Sequence, residues 1–224
     1  MRPIQLLKME TVKSPYLRLE ILNSLLHALG IVFGIISVPV LIAEATKNNN
    51  LAGITGAGIY GVCFLMLFTC STLYHGFQQP KLKELLRILD HISIYFLIAG
   101  TYTPIILVFV NNPFGMRLLV ALWTLTALGI VFKTFFTGRF EITSTFIYML
   151  MGWILFIDPK NFFAVMPQSV IALIIVGGVL YSIGVVFFLW EKYIYHHAIW
   201  HTLVLAAAIC HYAAVFIAVS HGAG

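Results

Sequence analysis

The sequence predicts an all-α integral membrane protein, a bundle of seven transmembrane helices. Hydrophobic residues make up 61% of the 224 residues, charged residues only 9%, and the mean hydropathy is +0.98. A soluble domain carries about a quarter charged residues. This chain has too little polar surface for a disordered segment, a nucleic-acid-binding surface or a water-soluble enzyme, so the composition excludes those classes.

A helix needs about 20 mostly apolar residues to cross the hydrocarbon of a bilayer. Polar or proline-containing breaks divide the chain into seven such runs, and each run is predicted to be one span. Their approximate bounds are residues 21–43, 51–74, 88–110, 116–132, 142–157, 169–190 and 197–219. The fifth run is the shortest. Residues 1–20 are then a cytoplasmic N-terminal tail, and residues 21–224 form the seven-helix transmembrane domain.

The basic residues predict the orientation of the chain, because cytoplasmic loops carry an excess of Lys and Arg. Ten of the thirteen Lys and Arg residues fall on the side of the N-terminus and three on the other side. We therefore expect the N-terminus inside and the C-terminus outside. The protein is expected to be a multi-pass integral membrane protein. No cleaved signal peptide is expected, because residues 1–20 contain no long apolar core and no small-residue cleavage site. No disulfide is expected either, since all three cysteines lie inside apolar runs.

Polar residues inside the apolar runs are the strongest pointers to function, since an ionisable group in a span is costly to bury. With the orientation above, these residues fall toward the cytoplasmic ends of the first, second, third and seventh runs. They are Glu20, Asn23, His27, Ser71, His75, Asp90, His91, His196, His197 and His201. The basic-residue count did not use them, so their location on one side independently indicates a shared site.

The spacing of these residues indicates a metal site. His197 and His201 are four residues apart and share one helix face, a separation at which two imidazoles can reach one ion. Ser71 and His75 have the same spacing on the second run. Three imidazoles from two helices leave a fourth position for water, which is typical of a catalytic zinc. Asp90 can join them in space by hydrogen-bonding that water.

Other readings of individual histidines are open. A histidine pair four residues apart also occurs by chance, and lone histidines near helix ends, such as His91, His196 and His221, are usually interfacial side chains. His211 lies ten residues past His201, about 15 Å along the helix axis. It is too far away for the same ion, and we expect it to be a buried, hydrogen-bonded histidine.

The same segments resemble the hemolysin III proteins, the bacterial branch of the family that includes the progestin and adiponectin receptors. The resemblance extends over nearly all of the chain. Its carriers are EILNSLLHALG at residues 20–30, STLYH at 71–75, LDHISIYFLIAGTYTP at 89–104 and HAIWHTLVLAAAICH at 197–211.

The resemblance implies a seven-helix bundle in the bacterial inner (plasma) membrane, with a zinc ion near its cytoplasmic end. The family's zinc ligands fall on His75, His197 and His201. Its acidic residue on the third helix, which holds the zinc-bound water, falls on Asp90, and its second-helix serine falls on Ser71. These last two are the catalytic candidates. The receptors are thought to share chemistry with ceramidases, which hydrolyse lipid amides, whereas the bacterial branch is named for a haemolytic activity.

Whether the protein is an enzyme stays open at this stage. One hypothesis is a zinc-dependent, ceramidase-like hydrolase of lipid amides or esters, with Asp90 as base and membrane lipids as partners. The alternative is a non-enzymatic pore, transporter or receptor-like protein with structural zinc and a haemolytic or membrane-homeostasis role. The open fourth position favours the first. A continuous polar path would favour a pore, but His211 and residues 101–103 are the only mid-depth candidates.

Overall fold

The computed structural model describes the backbone of residues 3–221 and the side chains of residues 15–221. Within those residues the chain forms eight α-helices and one short 3₁₀ helix, Ile154–Ile157, between α5 and α6. The α-helices are α1 (Pro3–Lys47), α2 (Leu51–Gly76), α3 (Pro80–Phe109), α4 (Pro113–Phe136), α5 (Glu141–Gly152), α6 (Pro159–Phe163), α7 (Gln168–Leu189) and α8 (His196–Ser220). The predicted all-α class is confirmed.

Six of these helices are long and apolar enough to cross a membrane: α1 from Pro15 onward, α2, α3, α4, α7 and α8. Large apolar side chains cover their outer faces, as on α1, where Leu25, Leu29 and Ile36 are exposed. Exposed apolar faces on long helices suit hydrocarbon surroundings and not water. The chain is therefore a multi-pass integral membrane protein.

The fifth predicted run, residues 142–157, differs from the expectation because it does not form one continuous helix. α5 has 12 residues, about 18 Å at 1.5 Å per residue, against about 30 Å of hydrocarbon. It ends at Gly152, and the chain continues through the 3₁₀ helix and the five-residue α6, which begins at Pro159. A seventh helix with the length of a span is thus not seen among the described residues.

The helices begin where the sequence supplies caps for their free N–H groups. The Asn50 side chain accepts a hydrogen bond from the N–H of Gly53 at 2.7 Å and caps α2. Asn112 caps α4 in the same way, followed by Pro113 at the first helical position. Gly138, with φ of +82°, lets the chain turn sharply between α4 and α5.

Two ends of the bundle can be defined from these helices. The site end is where α2 ends and where α3 and α8 begin. The far end is where α1 ends, α2 begins and α8 ends, and there the Asn50 side chain donates to the carbonyl of His221 at 2.8 Å. The α1–α2, α2–α3 and α7–α8 pairs pack most extensively. These pairs hold α2 and α8 firmly in place at the site end.

Lys133 is the second point at which the structure departs from the sequence expectation. The sequence places it in a cytoplasmic loop, but it lies in the last turns of α4 with its side chain fully buried. Its Nζ donates to the Glu141 carboxylate at 2.7 Å, and that carboxylate also lies 3.6 Å from Nε2 of His91. The ion pair joins α3, α4 and α5 at the site end. Burial of the lysine requires such a carboxylate partner.

Candidate metal centre

Three histidines from two helices converge at the site end. His75 lies in the last turn of α2, and His197 and His201 lie in the first turns of α8. One ring nitrogen from each of the three lies within 4.8 Å of the others. His75 Nε2 and His201 Nε2 lie 3.0 Å apart. The structure therefore brings together the three residues that the sequence predicts as metal ligands.

The helices fix these rings because their positions follow from helical spacing and close packing. His197 and His201 are one turn apart on α8, and their ring centroids lie 4.5 Å apart. His75 approaches them from α2, with its ring centroid 4.8 Å from that of His201. His75 and His201 are each 2% exposed, whereas His197 is half-buried. The half-buried ring faces the cavity described below.

The donor set fits a zinc ion. Imidazole nitrogens are ligands that zinc and similar transition metals prefer, whereas calcium and magnesium prefer oxygen. The Nδ1 atoms of His75 and His201 are buried and have no hydrogen-bond partner within the normal geometric range among the described residues. The Nε2 atoms of these two rings instead face each other, and an ion bound between them would satisfy both lone pairs.

Around the cluster lie two polar residues of α1 that the sequence marked only as candidates. Glu20 is 8% exposed, with one carboxylate oxygen 3.4 Å from Nδ1 of His75. Lys83, from the first turn of α3, pairs with the other oxygen. The His27 ring lies against His201, with centroids 3.9 Å apart. α1 thus closes one side of the histidine cluster.

Asp90 and Ser71, the two catalytic candidates, line one cavity together with His197 and His201. Ser71 is 1% exposed and lies one helical turn before His75. Its hydroxyl has no hydrogen-bond partner among the side chains that the structure describes. Asp90 lies on α3, which packs against α2 along most of its length. Two of the ligands and both catalytic candidates therefore face the same internal space.

Other predicted candidates lie outside the cluster. His91 faces the Lys133–Glu141 pair, and its Nδ1 lies 2.6 Å from the carbonyl of Arg87. His196 contacts the carbonyl of Phe187 at 3.2 Å. His211 lies 3.3 Å from the carbonyl of Ile174 and so is a hydrogen-bonded histidine, as expected. These three histidines are accounted for without an ion.

The cavity has a volume of about 710 Å³ and extends from the histidine cluster toward the far end. Beyond the polar residues its walls are mainly apolar and aromatic. They include Leu97, Ile98, Tyr102, Ile105, Ile174, Tyr181 and Val204 from α3, α7 and α8. Such a space is large enough for a drug-sized or lipid-sized molecule. The polar cluster lies at one end of a deep apolar chamber.

The chain matches the family model described as Haemolysin-III related, over residues 16–212. It is 40% identical over 198 residues to Hemolysin-3 of Bacillus cereus, covering 88% of this chain and 90% of that protein. It is 42% identical over 189 residues to a Hemolysin-3 homolog of Bacillus subtilis strain 168, covering 84% of this chain and 89% of that protein.

A more distant similarity extends to animals. The chain is 29% identical over 167 residues to the human Monocyte to macrophage differentiation factor. That alignment covers 71% of this chain and 68% of the human protein. The similarity therefore extends from the bacterial proteins to an animal protein.

Proposed function

The chain belongs to the haemolysin-III related family, and on that premise we propose that it is a zinc-dependent membrane hydrolase of lipid amide or ester bonds. One observation carries the proposal. The three-histidine cluster, Asp90 and Ser71 lie at the polar end of an apolar cavity that is large enough for an acyl chain. A lipid whose chain fills the cavity would have its first polar bond beside the cluster.

His75, His197 and His201 would hold the ion. Bound there, zinc supplies a Lewis acid that polarises a carbonyl group and lowers the pKa of water to about 7. The Asp90 carboxylate accepts the proton from the attacking water and returns it to the departing amine or alcohol. The Ser71 hydroxyl donates a hydrogen bond to the negative charge that develops on the carbonyl oxygen. The apolar walls keep bulk water away from the acyl chain.

We further propose that the chain crosses the plasma membrane seven times, with the N-terminus inside. The α5 segment, residues 141–163, supplies the additional crossing as α5, the 3₁₀ helix and α6. Its first residue contacts His91 at the site end, while Phe162 packs against Phe114, which lies at the start of α4 at the far end. These contacts support a segment that passes from one end of the bundle to the other.

Single cysteines in the exposed turns test this topology. In a variant without the native cysteines, a cysteine that replaces Asn49 or Asn161 is expected to react with an impermeant thiol reagent from outside whole cells. A cysteine that replaces Gln79 is expected to react with the same reagent only after the membrane is opened. Labelling of Asn161 from the same side as Gln79 would leave six crossings and refute the seventh.

The hydrolase proposal is tested with the purified protein in detergent. Metal analysis is expected to find about one zinc per chain. A matched pair of lipids, one amide and one ester of the same long acyl chain, is then assayed before and after chelation and again after zinc is restored. Turnover that disappears with the metal and returns with it supports the proposal. Zinc-loaded protein that cleaves neither lipid but passes ions across liposomes would replace the hydrolase with a pore.

A further inference from the structure

We propose that Glu20 is a positioning residue of the metal centre. Its carboxylate accepts the Nδ1–H of His75 and so holds this imidazole with Nε2 turned toward the ion. The inference rests on the metal site of the proposed function and not on the hydrolysis step. It adds a residue from α1, a helix that contributes no ligand.

The two ring nitrogens of His75 have different neighbours. Nδ1 lies 3.4 Å from Oε1 of Glu20, while Nε2 lies 3.0 Å from Nε2 of His201. One nitrogen therefore points to the carboxylate and the other into the cluster. The 3.4 Å separation is slightly longer than a normal N–H···O hydrogen bond. Nδ1 makes no hydrogen bond of normal geometry to any described residue, so no other acceptor competes with the Glu20 carboxylate for its proton.

The Glu20 carboxylate is itself held in place. Lys83 Nζ pairs with Oε2 and also donates to the carbonyl of Tyr74 at 3.1 Å. Tyr74 precedes His75 in the chain, so one lysine fixes both the carboxylate and the backbone beside the ligand. A carboxylate that is 8% exposed needs such partners. Lys83 occupies one oxygen of Glu20 and leaves the other for His75.

The chemistry of metal-bound histidine explains why this contact matters. A ligating imidazole usually donates its second N–H to a carboxylate or carbonyl, which fixes the ring orientation and raises its basicity. Loss of that partner typically lowers metal affinity by 10- to 100-fold. His201 provides the contrast: neither Nδ1 makes a normal hydrogen bond, but only the one of His75 is paired with a carboxylate, at 3.4 Å, among the described residues. His75 is thus the ligand with a side-chain carboxylate in place to orient it.

The test is a comparison of zinc affinities in the full-length protein, measured by competition with a chelator. Glu20→Gln keeps the shape, but Lys83 will take the amide oxygen and leave an NH₂ donor facing Nδ1. We expect a 10- to 100-fold weaker affinity and a changed visible spectrum of the cobalt-substituted protein. Glu20→Asp should recover part of the loss. Lys83→Met should lose less than Glu20→Gln, since the carboxylate remains.

Glu44→Gln is the matched control, because Glu44 is a carboxylate on the same helix that pairs with Lys47 near the far end. It should bind zinc as the wild type does. In a His75→Ala background, Glu20→Gln should have no further effect on residual metal binding. A further loss there would indicate general damage and refute the positioning role. If Glu20→Gln unfolds in detergent, the Glu20→Asp and Lys83→Met proteins provide the comparison.

The outcomes separate this proposal from the proposed function. Wild-type protein that binds zinc, with equal affinity in Glu20→Gln, overturns the role of Glu20 and leaves the hydrolase intact. Wild-type protein that binds no zinc overturns the metal centre and this inference together. Zinc-binding protein that cleaves no lipid contradicts the hydrolase alone, and the affinity comparison still decides the role of Glu20.

Discussion

Helices α2 and α8 and the α5 segment border the same cavity, but they are built in different ways. α2 and α8 are 26 and 25 residues long, and their histidines lie in turns packed by α1, α3 and α7. The α5 segment has a 12-residue helix followed by two shorter ones, with Ile142, Phe146 and Leu150 exposed on its outer face. Its contacts with α3 and α7 are few.

This difference separates the part of the site that holds an ion from the part that encloses a substrate. Rigid ligands need long helices with close neighbours, because a shift of about an ångström in a ligand impairs a metal site. A cavity wall only needs to cover the chamber, and a wall with few contacts opens at a lower cost in free energy.

The largest effect is expected at the ligand helices. Replacing His75, His197 or His201 by Ala removes one of three nitrogen donors, so the purified variant should retain little or no zinc by metal analysis. His196→Ala is the matched control, since this neighbouring histidine contacts a backbone carbonyl and not the cluster. Full zinc content in all three ligand variants would show that the metal site lies elsewhere. Loss of zinc from a His27→Ala protein would place the metal site against α1.

The second effect concerns the catalytic step on α3. Asp90→Asn keeps the side-chain shape but removes the proton acceptor, so zinc should stay bound while lipid-amide hydrolysis falls by roughly 100-fold or more. Glu191→Gln controls for charge, because Glu191 is an exposed carboxylate that also lines the cavity. A rate for Asp90→Asn equal to that of the wild type would rule out Asp90 as the base.

The sequence predicts the ligand helices far better than the α5 segment, and the reason is physical. Residues four apart on a long helix share a face, so the positions of His197 and His201 follow from their spacing alone. Contacts between helices depend on relative rotation and depth, which local spacing does not encode. Hence the 3.4 Å approach of Glu20 to His75 and the burial of Lys133 were not predicted.

The α5 segment illustrates the same limit. An apolar run of about 16 residues reads as a span, but it does not reveal where the helix will break. In the structure the Gly152 carbonyl accepts a hydrogen bond from the Tyr102 hydroxyl, and Trp153 Nε1 donates to Ser182 at 3.1 Å. Both contacts come from distant parts of the chain, α3 and α7. The irregular stretch after Gly152 is thus stabilised by tertiary contacts.

The third prediction concerns the ion pair that fastens α5 to the rest of the bundle. Glu141→Gln leaves the fully buried Lys133 without a charged partner and should lower the free energy of unfolding by about 3–5 kcal/mol, measured in detergent. Lys133→Met should cost less, because Glu141 is one-third exposed and keeps the N–H of Gly138. In the double variant most of the loss should be recovered. Equal losses in both single variants would contradict this account.

The smallest effects distinguish close packing at the ligand helices from the looser α5 wall. A methyl group added at Gly56 on α2 would lie 2.5 Å from the Cα of Pro104 in α3, and backbone cannot move aside cheaply. Gly56→Ala should therefore destabilise the protein by about 1–3 kcal/mol. At Gly58, two residues further along α2, and at Gly152 in α5, the same methyl group meets no atom within 4 Å.

Those two changes to Ala should leave stability unchanged or raise it by about 0.4–1 kcal/mol, because alanine restricts the unfolded chain. Thermal unfolding of the three variants in the same detergent measures the series. Gly58→Ala is the control for Gly56→Ala, since both changes are on one helix and only the neighbour differs. If Gly152→Ala proves as damaging as Gly56→Ala, the α5 wall is packed as tightly as the ligand helices. The cavity would then lack a loosely held side through which a lipid could enter.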